Sequence, residues 1–202
     1  MVTVVIPAHN EAQTLTALLP RIRHKTIVVD DGSIDNTAEV ARENGAEVIS
    51  FTKNKGYVSA LDAGLRAAED DCITFDADGE HDPLDIPAFL EGDADIIVGK
   101  RPHLPRKGER ILSCCCRELY GFEDPLCGFR FIRKEILKNI PFSGNDFGLG
   151  FILSAFKRGY SVDNVSIRRM DRRDEARVGG TKEIDRRLLA ITMEVLKDEL
   201  QG

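Results

Sequence analysis

The chain of 202 residues carries a formal net charge of −6, with 42% hydrophobic and 31% charged residues. This length fits one domain with a core of its own, and the composition excludes a disordered chain. The longest stretches without Asp, Glu, Lys or Arg are ten residues, whereas a membrane-spanning helix needs about 20 apolar residues. The acidic total argues against a general nucleic-acid binder.

Charge is divided unevenly along the chain. Residues 1–99 carry 7 Lys/Arg and 19 Asp/Glu, a balance of −12, whereas residues 100–202 carry 21 and 15, a balance of +6. An acidic half followed by a basic half indicates a division of labour, with a metal bound in the first half and anions in the second. Ordinary solvated surface charge is the alternative interpretation.

The start of the chain and its cysteines bear on where the protein works. Met1–Ile6 lacks the basic start and the long apolar core of a signal peptide, which predicts a cytoplasmic protein. The five cysteines are odd in number, and Cys114, Cys115 and Cys116 are consecutive. This pattern suits neither a disulfide framework nor zinc spacing, so we expect buried or surface thiols rather than a metal site with His103 and Cys127.

Short apolar runs alternate with helical periodicity through the first hundred residues. The predicted strands are Val2–Ile6, Thr26–Val29, Ala46–Ile49, Cys72–Phe75 and Ala94–Val98. The predicted helices between them include Glu11–Ile22, a helix capped by Asp35 that ends near Asn44, and Val58–Ala68. Apolar strands joined by helical crossovers predict an α/β fold, a single three-layer α/β/α domain with a mostly parallel sheet.

The second hundred residues show a less regular pattern. Predicted helices are Arg106–Tyr120, Lys134–Asn139 and Asp146–Lys157, predicted strands are Gly128–Ile132 and Val162–Ile167, and Met170–Thr181 is a predicted loop. Glu183–Leu200 is an amphipathic helix, which we expect to pack on the domain, with contact to the cytoplasmic face of a membrane as the alternative. The predicted organisation is a domain over 1–182, with a nucleotide and metal half (1–99) and an acceptor half (100–182), followed by a C-terminal helix (183–202).

Ligands of such sheets bind beyond the carboxyl ends of the strands, where this sequence places polar segments. Asp76 and Asp78 follow the fourth predicted strand two residues apart, so their side chains point the same way. Two carboxylates so placed offer oxygen ligands to Mg²⁺ or Mn²⁺, and Glu80 or His81 can add another. A solvated acidic turn is the alternative.

Two further polar segments join this edge. Asp30 and Asp31 follow the second predicted strand, where a carboxylate can accept bonds from a base N–H or from ribose hydroxyls. A helix cap and turn would use the same residues. Lys55, in Asn54-Lys55-Gly56, either belongs to a plain loop or places an ammonium group beside a phosphate.

Together, these segments resemble family-2 glycosyltransferases with the A-type fold. Val4–Glu11 is similar to their opening Pro-x-x-Asn-Glu strand, Val28–Thr37 to their second nucleotide segment, and Phe75–Pro83 to their metal loop. Asn54–Gly64 is similar to their Asn-x-Gly-x-x-x-Ala-x-x-x-Gly stretch. Asp124–Arg130 resembles a segment of the dolichyl-phosphate mannose and glucose synthase branch. The resemblance runs from residue 2 to about residue 182 and implies a sheet like that of nucleotide-diphospho-sugar transferases.

The resemblance implies roles for the matching positions. The nucleotide pocket would be formed by Pro7, Asn10, Glu11, Asp30, Asp31 and Asp76, with Lys55 beside them. The metal would be held by Asp78 and by Glu80, which stands where that branch often has Gln. Cations for the diphosphate and the acceptor phosphate would be Arg101, Arg110, Arg177 and Lys182. The catalytic residues would be Asp76, Asp78 and, as a candidate base, Asp146.

The implied reaction is inverting transfer of a hexose from a nucleotide sugar of the GDP-mannose or UDP-glucose class, with Mg²⁺ or Mn²⁺ at the leaving diphosphate. The acceptor is either a polyprenyl or dolichyl phosphate or a sugar hydroxyl. A phosphate is already ionised, whereas a hydroxyl needs a base, the role that Asp146 would fill. An alternative role for Asp146 is a helix N-cap or first-turn acid.

Two other functions compete with this interpretation. Ile73–Gly79 also resembles the nucleophile motif of haloacid-dehalogenase-type phosphatases, although Ile97 stands where a later motif should have a second Asp. The other competitor is a nucleotide-sugar-binding protein without catalysis, against which the intact pair of Asp76 and Asp78 argues.

Overall fold

A seven-stranded sheet forms the centre of the chain in a computed structural model, which describes residues 1–142, 148–170 and 181–201. The strand order is β3-β2-β1-β4-β6-β5-β7. The strands are β1 (Val2–Ala8), β2 (Lys25–Asp30), β3 (Glu47–Ser50), β4 (Asp71–Thr74), β5 (Ile96–Lys100), β6 (Arg130–Ile132) and β7 (Val162–Ser166). Only β6 runs antiparallel to its neighbours among these strands. The predicted α/β fold with a mostly parallel sheet is confirmed.

Helices follow the strands much as the periodicity predicts. They are α1 (Ala12–Leu18), α2 (Thr37–Glu43), α3 (Tyr57–Ala67), α4 (Ile86–Leu90), α5 (Lys107–Tyr120), α6 (Lys134–Asn139), α7 (Leu149–Lys157) and α8 (Thr181–Gln201). Short 3₁₀ helices at Leu19–Arg21 and Pro83–Asp85 adjoin α1 and α4. The start of the predicted helix Asp146–Lys157 and nearly all of the predicted loop Met170–Thr181 lie outside the described residues.

The core lies on both sides of the central strands. Every residue of β1 is buried, and because alternate side chains of a strand point to opposite faces, both of its faces are covered. Helix α3 packs on β1 and β2 so closely that a Cβ atom on Gly64 would lie 2.4 Å from Val5 Cγ1. This packing fixes the start of α3, and with it Tyr57, beside the carboxyl end of β1.

The C-terminal helix α8 packs against α5. Ile184, Leu188, Ile191 and Val195 are buried, as expected for the apolar face of an amphipathic helix. A Cβ atom on Gly108 of α5 would lie 2.9 Å from Leu188 Cβ, which shows how tightly the two helices meet. Within the described residues, none of the helices combines the length and apolar character that crossing a membrane requires.

All five cysteines are free thiols. Cys72, Cys116 and Cys127 are buried, whereas Cys114 is exposed. Burial raises the pKa of Cys116 to about 12, so this thiol stays protonated at neutral pH. Three of the thiols are therefore buried and one lies at the surface.

Candidate active site

A cavity of about 380 Å³ opens at the carboxyl ends of β1, β2 and β4. Its volume lies in the range typical of small-ligand sites, and this edge of the sheet is where α/β folds bind ligands. The predicted site residues on its lining are Pro7, Glu11, Asp31, Asp76 and Asp78. His9, Tyr57, Leu126 and Gly128 also line it. The structure thus brings all five segments that resemble family-2 glycosyltransferases to one cavity, including four residues of these segments to which the sequence assigned no role.

The turn after β1 is joined to the turn after β2. Asn10 has a positive φ of 55°, a conformation that asparagine tolerates better than most residues. Its backbone N–H donates to Ser33 Oγ at 2.9 Å, and its side-chain Oδ1 accepts from the Ile34 N–H at 2.9 Å. Asn10 therefore shapes the edge of the cavity by holding two turns together.

Asp30 and Asp31 are adjacent, but their carboxylates accept hydrogen bonds from different segments. Asp30 Oδ1 accepts from the Ser33 N–H at 3.0 Å and so closes its own turn. The Asp31 carboxylate accepts from the N–H groups of Lys55 at 2.7 Å and Gly56 at 2.8 Å. Asp31 thus fixes the loop that leads into α3. Their predicted contacts with a base or ribose stay predictions.

The Lys55 side chain is exposed, and its Nζ lies 4.0 Å from the centre of the Phe51 ring. This cation–π contact holds the ammonium group beside the loop. Lys55 is not among the described residues that line the cavity. The predicted contact of Lys55 with a phosphate stays a prediction.

The Asp76 carboxylate is held at both of its oxygens. The Tyr57 hydroxyl donates to Oδ1 at 2.9 Å, and His81 Nε2 lies 3.4 Å from Oδ2. Burial acts to raise the pKa of Asp76, but His81, the Tyr57 hydroxyl and the charge of Arg130 outweigh burial and keep this pKa below its ordinary value. Burial, together with the charge of Asp76, raises the pKa of Tyr57. At neutral pH the pair is therefore a phenol donating to a carboxylate.

Asp78 and Glu80 offer oxygen ligands beside the cavity. The Glu80 N–H donates to Asp78 Oδ1 at 3.0 Å, which brings the two residues together in one turn. Among the described residues, no group of three or more His, Cys, Asp or Glu is arranged to hold a metal ion. Because Mg²⁺ is commonly held by one or two carboxylates plus substrate phosphates, this donor set fits a metal that binds together with a nucleotide.

Arg101 forms a buried ion pair with Asp124. Its guanidinium makes two bonds to Asp124, from Nε at 2.8 Å and Nη2 at 2.7 Å, and the pair is largely buried. Burial acts to lower the pKa of Arg101, but Asp124 outweighs it and raises that pKa. Asp124 therefore satisfies two of the five guanidinium N–H donors and provides the partner that a buried charge needs. The predicted contact of Arg101 with a phosphate stays a prediction.

The structure says less about the roles of the other predicted cations and of the candidate base. Arg110 is exposed on α5, and its Nη1 donates to the Leu104 carbonyl at 3.1 Å. Asp146 and Arg177 lie outside the described residues, as does the side chain of Lys182. Their roles in catalysis and in binding phosphate stay predictions.

Basic residues of the second half pair with acidic residues in and just after the Phe75–Pro83 loop. Arg168 Nη2 lies 2.8 Å from Asp85 Oδ1, and Arg169 Nη2 lies 3.7 Å from Glu80 Oε2. The backbone N–H of Met170 donates to the Glu80 carbonyl at 2.9 Å. Part of the charge division along the chain is therefore neutralised within the fold, where residues 168–170 hold the loop that carries Glu80.

Comparison with known proteins agrees with this geometry. The sequence profile of glycosyl transferase family 2 matches residues 3–141. The chain belongs to this family. An uncharacterised glycosyltransferase of Mycobacterium bovis is 42% identical over 154 residues, which cover 69% of this chain and 70% of that protein. The family assignment makes the chain a glycosyltransferase and sets aside the phosphohydrolase interpretation of Ile73–Gly79.

Two further relatives have names that state a substrate. The dolichol-phosphate mannosyltransferase of Pyrococcus furiosus is 30% identical over 78% of this chain and 53% of its own length. The polyprenol monophosphomannose synthase of Mycolicibacterium smegmatis is 29% identical over 81% of this chain and 75% of its own length. The family-2 glycosyltransferase described here therefore resembles enzymes named for a lipid phosphate.

Solved structures show the same fold. Glucosyl-3-phosphoglycerate synthase of Mycobacterium tuberculosis, crystallised with Mn²⁺, UDP and glucosyl-3-phosphoglycerate, has a TM-score of 0.74 to this chain at 23% identity. The match covers 96% of this chain and 78% of that one. It confirms the A-type glycosyltransferase architecture.

Proposed function

We propose that this family-2 glycosyltransferase moves a hexose, with inversion and with the help of a divalent metal, from a nucleotide diphosphate sugar to a polyprenyl phosphate. The observation that carries the proposal is the convergence of Asp31, Asp76 and Asp78 on one cavity at the carboxyl ends of β1, β2 and β4. A nucleotide sugar presents a base, ribose hydroxyls and a diphosphate to these groups, which suits carboxylates that accept bonds and a metal that neutralises phosphate.

The residues of the cavity would divide the donor between them. Asp31 lines the cavity and fixes the loop before α3, which suits contact with the base and ribose, and Asp76 faces the ribose or the sugar. A divalent metal bound by Asp78 and Glu80 would neutralise charge on the leaving diphosphate. An acceptor phosphate oxygen then bonds to the anomeric carbon as the bond from this carbon to the diphosphate breaks, and the diphosphate leaves with the electron pair.

The choice of acceptor follows from chemistry and from the relatives. A phosphate acceptor is ionised near neutral pH and needs no general base. Two relatives are named for dolichol phosphate or a polyprenol monophosphate product. A sugar hydroxyl is the competing acceptor, and it would require a base such as Asp146.

A transfer assay tests the function. The purified protein is incubated with Mn²⁺, a polyprenyl phosphate, and either UDP-glucose or GDP-mannose, and sugar in the lipid phase is measured together with released nucleotide diphosphate. We expect lipid-linked sugar from one of these donors, loss of transfer with EDTA, and recovery when Mn²⁺ or Mg²⁺ is restored.

Asp146→Asn tests the acceptor class within the same assay. Turnover that persists nearly unchanged supports a phosphate acceptor, because no base is then needed. Two results together would contradict the proposed acceptor. The protein would transfer no sugar from either donor to a lipid phosphate, and it would transfer sugar to a hydroxyl acceptor in a reaction that depends on Asp146.

A further inference from the structure

We propose that Tyr57 and His81 are positioning residues that hold the Asp76 carboxylate in one orientation, ready for the donor. The proposal rests on the proposed function, because it takes Asp76 as a contact of the nucleotide sugar. It concerns two side chains outside the Asp-x-Asp pair, one from the start of α3 and one from the loop after β4. Each of them contacts a different oxygen of the same carboxylate.

The start of helix α3 positions Tyr57. It is the first residue of α3 and follows Gly56, whose φ of 91° is a conformation that favours glycine. The Gly56 N–H donates to Asp31 Oδ2 at 2.8 Å, while the Tyr57 hydroxyl donates to Asp76 Oδ1 at 2.9 Å. Asp31 therefore sets the helix start from which Tyr57 reaches Asp76, so the two acids are connected through Gly56 and Tyr57.

His81 is placed by aromatic packing. Its ring is 5% exposed and lies with its centre 5.8 Å from the Phe75 ring and 5.4 Å from the Phe129 ring. Both phenylalanines are fully buried, so the imidazole has little freedom to turn. Nε2 faces Asp76 Oδ2 at 3.4 Å. The core of the domain thus fixes the second contact of the carboxylate.

Gly128 closes the remaining side. A Cβ atom at this position would lie 2.1 Å from Asp76 Oδ2 and 2.5 Å from Oδ1, so the carboxylate lies directly against the glycine backbone. With Tyr57 at one oxygen and His81 at the other, the carboxylate keeps one orientation while its side chain remains 25% exposed toward the cavity. A group that is ordered before the ligand arrives lowers the entropic cost of binding.

Two other roles for Tyr57 must be separated from positioning. As a lining residue, Tyr57 can contact a donor directly. Its hydroxyl can instead contribute only to the stability of the folded protein. A double-mutant cycle separates them, because a residue that acts through Asp76 has no effect once Asp76 is removed.

The experiment measures the dissociation constants of UDP and GDP by calorimetry, with Mn²⁺ present, for Tyr57→Phe, Asp76→Ala and the double variant. We expect Tyr57→Phe to weaken binding of the preferred nucleotide about tenfold, as for loss of a hydrogen bond to a charged group. The same change in the Asp76→Ala background is expected to have no further effect. Tyr160→Phe is the matched control, since the Tyr160 hydroxyl accepts from Asn139 Nδ2 and lies off the described cavity lining.

His81 is tested by a pair of variants. His81→Gln keeps a side-chain N–H donor and is expected to retain more of the affinity than His81→Leu, which keeps bulk alone. Thermal unfolding of each variant is compared with wild type, and equal melting temperatures with unequal affinities show that the effect is not a general loss of stability. Equal affinities of the Gln and Leu variants would overturn the role given to His81.

The outcomes for Tyr57 are equally distinct. Wild-type affinity in Tyr57→Phe overturns the positioning role and leaves the proposed function standing. A tenfold weakening that persists in the Asp76→Ala background also overturns it, because Tyr57 then acts by direct contact. A wild-type protein that binds neither nucleotide overturns the proposed function and this inference together.

Discussion

Replacing Gly128 by alanine is expected to weaken nucleotide diphosphate binding about a hundredfold, because the Asp76 carboxylate would lose two contacts worth about 1.5 kcal/mol each. The added Cβ atom would lie 2.1 Å from Asp76 Oδ2, a separation that no carbon and oxygen can share without bonding. The Gly128 carbonyl accepts from Thr74 Oγ1 at 2.6 Å, which resists a retreat of the backbone. The carboxylate must therefore rotate and lose its contacts with Tyr57 and His81.

Calorimetry of the preferred nucleotide with Mn²⁺ measures this effect. Gly92→Ala is the control, because its Cβ atom would meet the end of the Ile97 side chain, which can shift. We expect both variants to fold, with a cost of about 1–3 kcal/mol for the overpacked site, and only Gly128→Ala to lose affinity. Unchanged affinity in Gly128→Ala would show that the position of Asp76 does not govern nucleotide binding.

Asp124→Ala is expected to lower the free energy of unfolding by about 3–5 kcal/mol, the usual cost of leaving one charge of a buried pair without its partner. Asp124 accepts from Arg101 at Nε, Nη2 and the backbone N–H, and it is 2% exposed. Glu109 Oε2, at 3.9 Å from Arg101 Nη2, is too distant to replace it in full. Urea denaturation measures the change.

Glu118→Ala is the matched control for this pair. Its carboxylate lies 2.9 Å from Arg117 Nη2, but both side chains are more than half exposed, so we expect a change within about 0.5 kcal/mol. Equal midpoints for Asp124→Ala and wild type would contradict the structural role. Arg101→Gln variants that stay fully stable but lose nucleotide affinity would instead support the phosphate role that the resemblance implies.

Local sequence signals predict the elements well because they depend on neighbours in the chain. The period of apolar residues in 134–139 and the β-branched run at 26–29 reflect interactions between residues that are close in the chain. Helix α6 has the predicted bounds. The direction of β6 is different. Arg130–Ile132 lies between β4 and β5 and antiparallel to both. Ile132 pairs with Cys72, 60 residues earlier, and with Ile96, 36 residues earlier. No local pattern encodes such a pairing.

The candidate site divides in the same way. Asp31, Asp76 and Asp78 follow strands, and because the carboxyl ends of parallel strands meet at one edge, their convergence could be predicted. Tyr57 gave no signal beyond its place after Asn54-Lys55-Gly56, since its contact with Asp76 depends on how α3 packs on β1. Arg101 shows a similar limit, because the motif suggested a phosphate contact, which stays a prediction, and gave no sign of its partner Asp124, 23 residues later.

Titration of nucleotides with and without a divalent metal is the most direct test of whether this cavity binds a nucleotide together with a metal. The titration uses UDP and GDP against wild-type protein and Asp78→Ala, each with Mn²⁺ and with EDTA. We expect one nucleotide to bind wild type more tightly with Mn²⁺ than with EDTA, and Asp78→Ala to lose this difference while remaining folded. Failure of both nucleotides to bind wild type in the presence of Mn²⁺ would contradict this expectation.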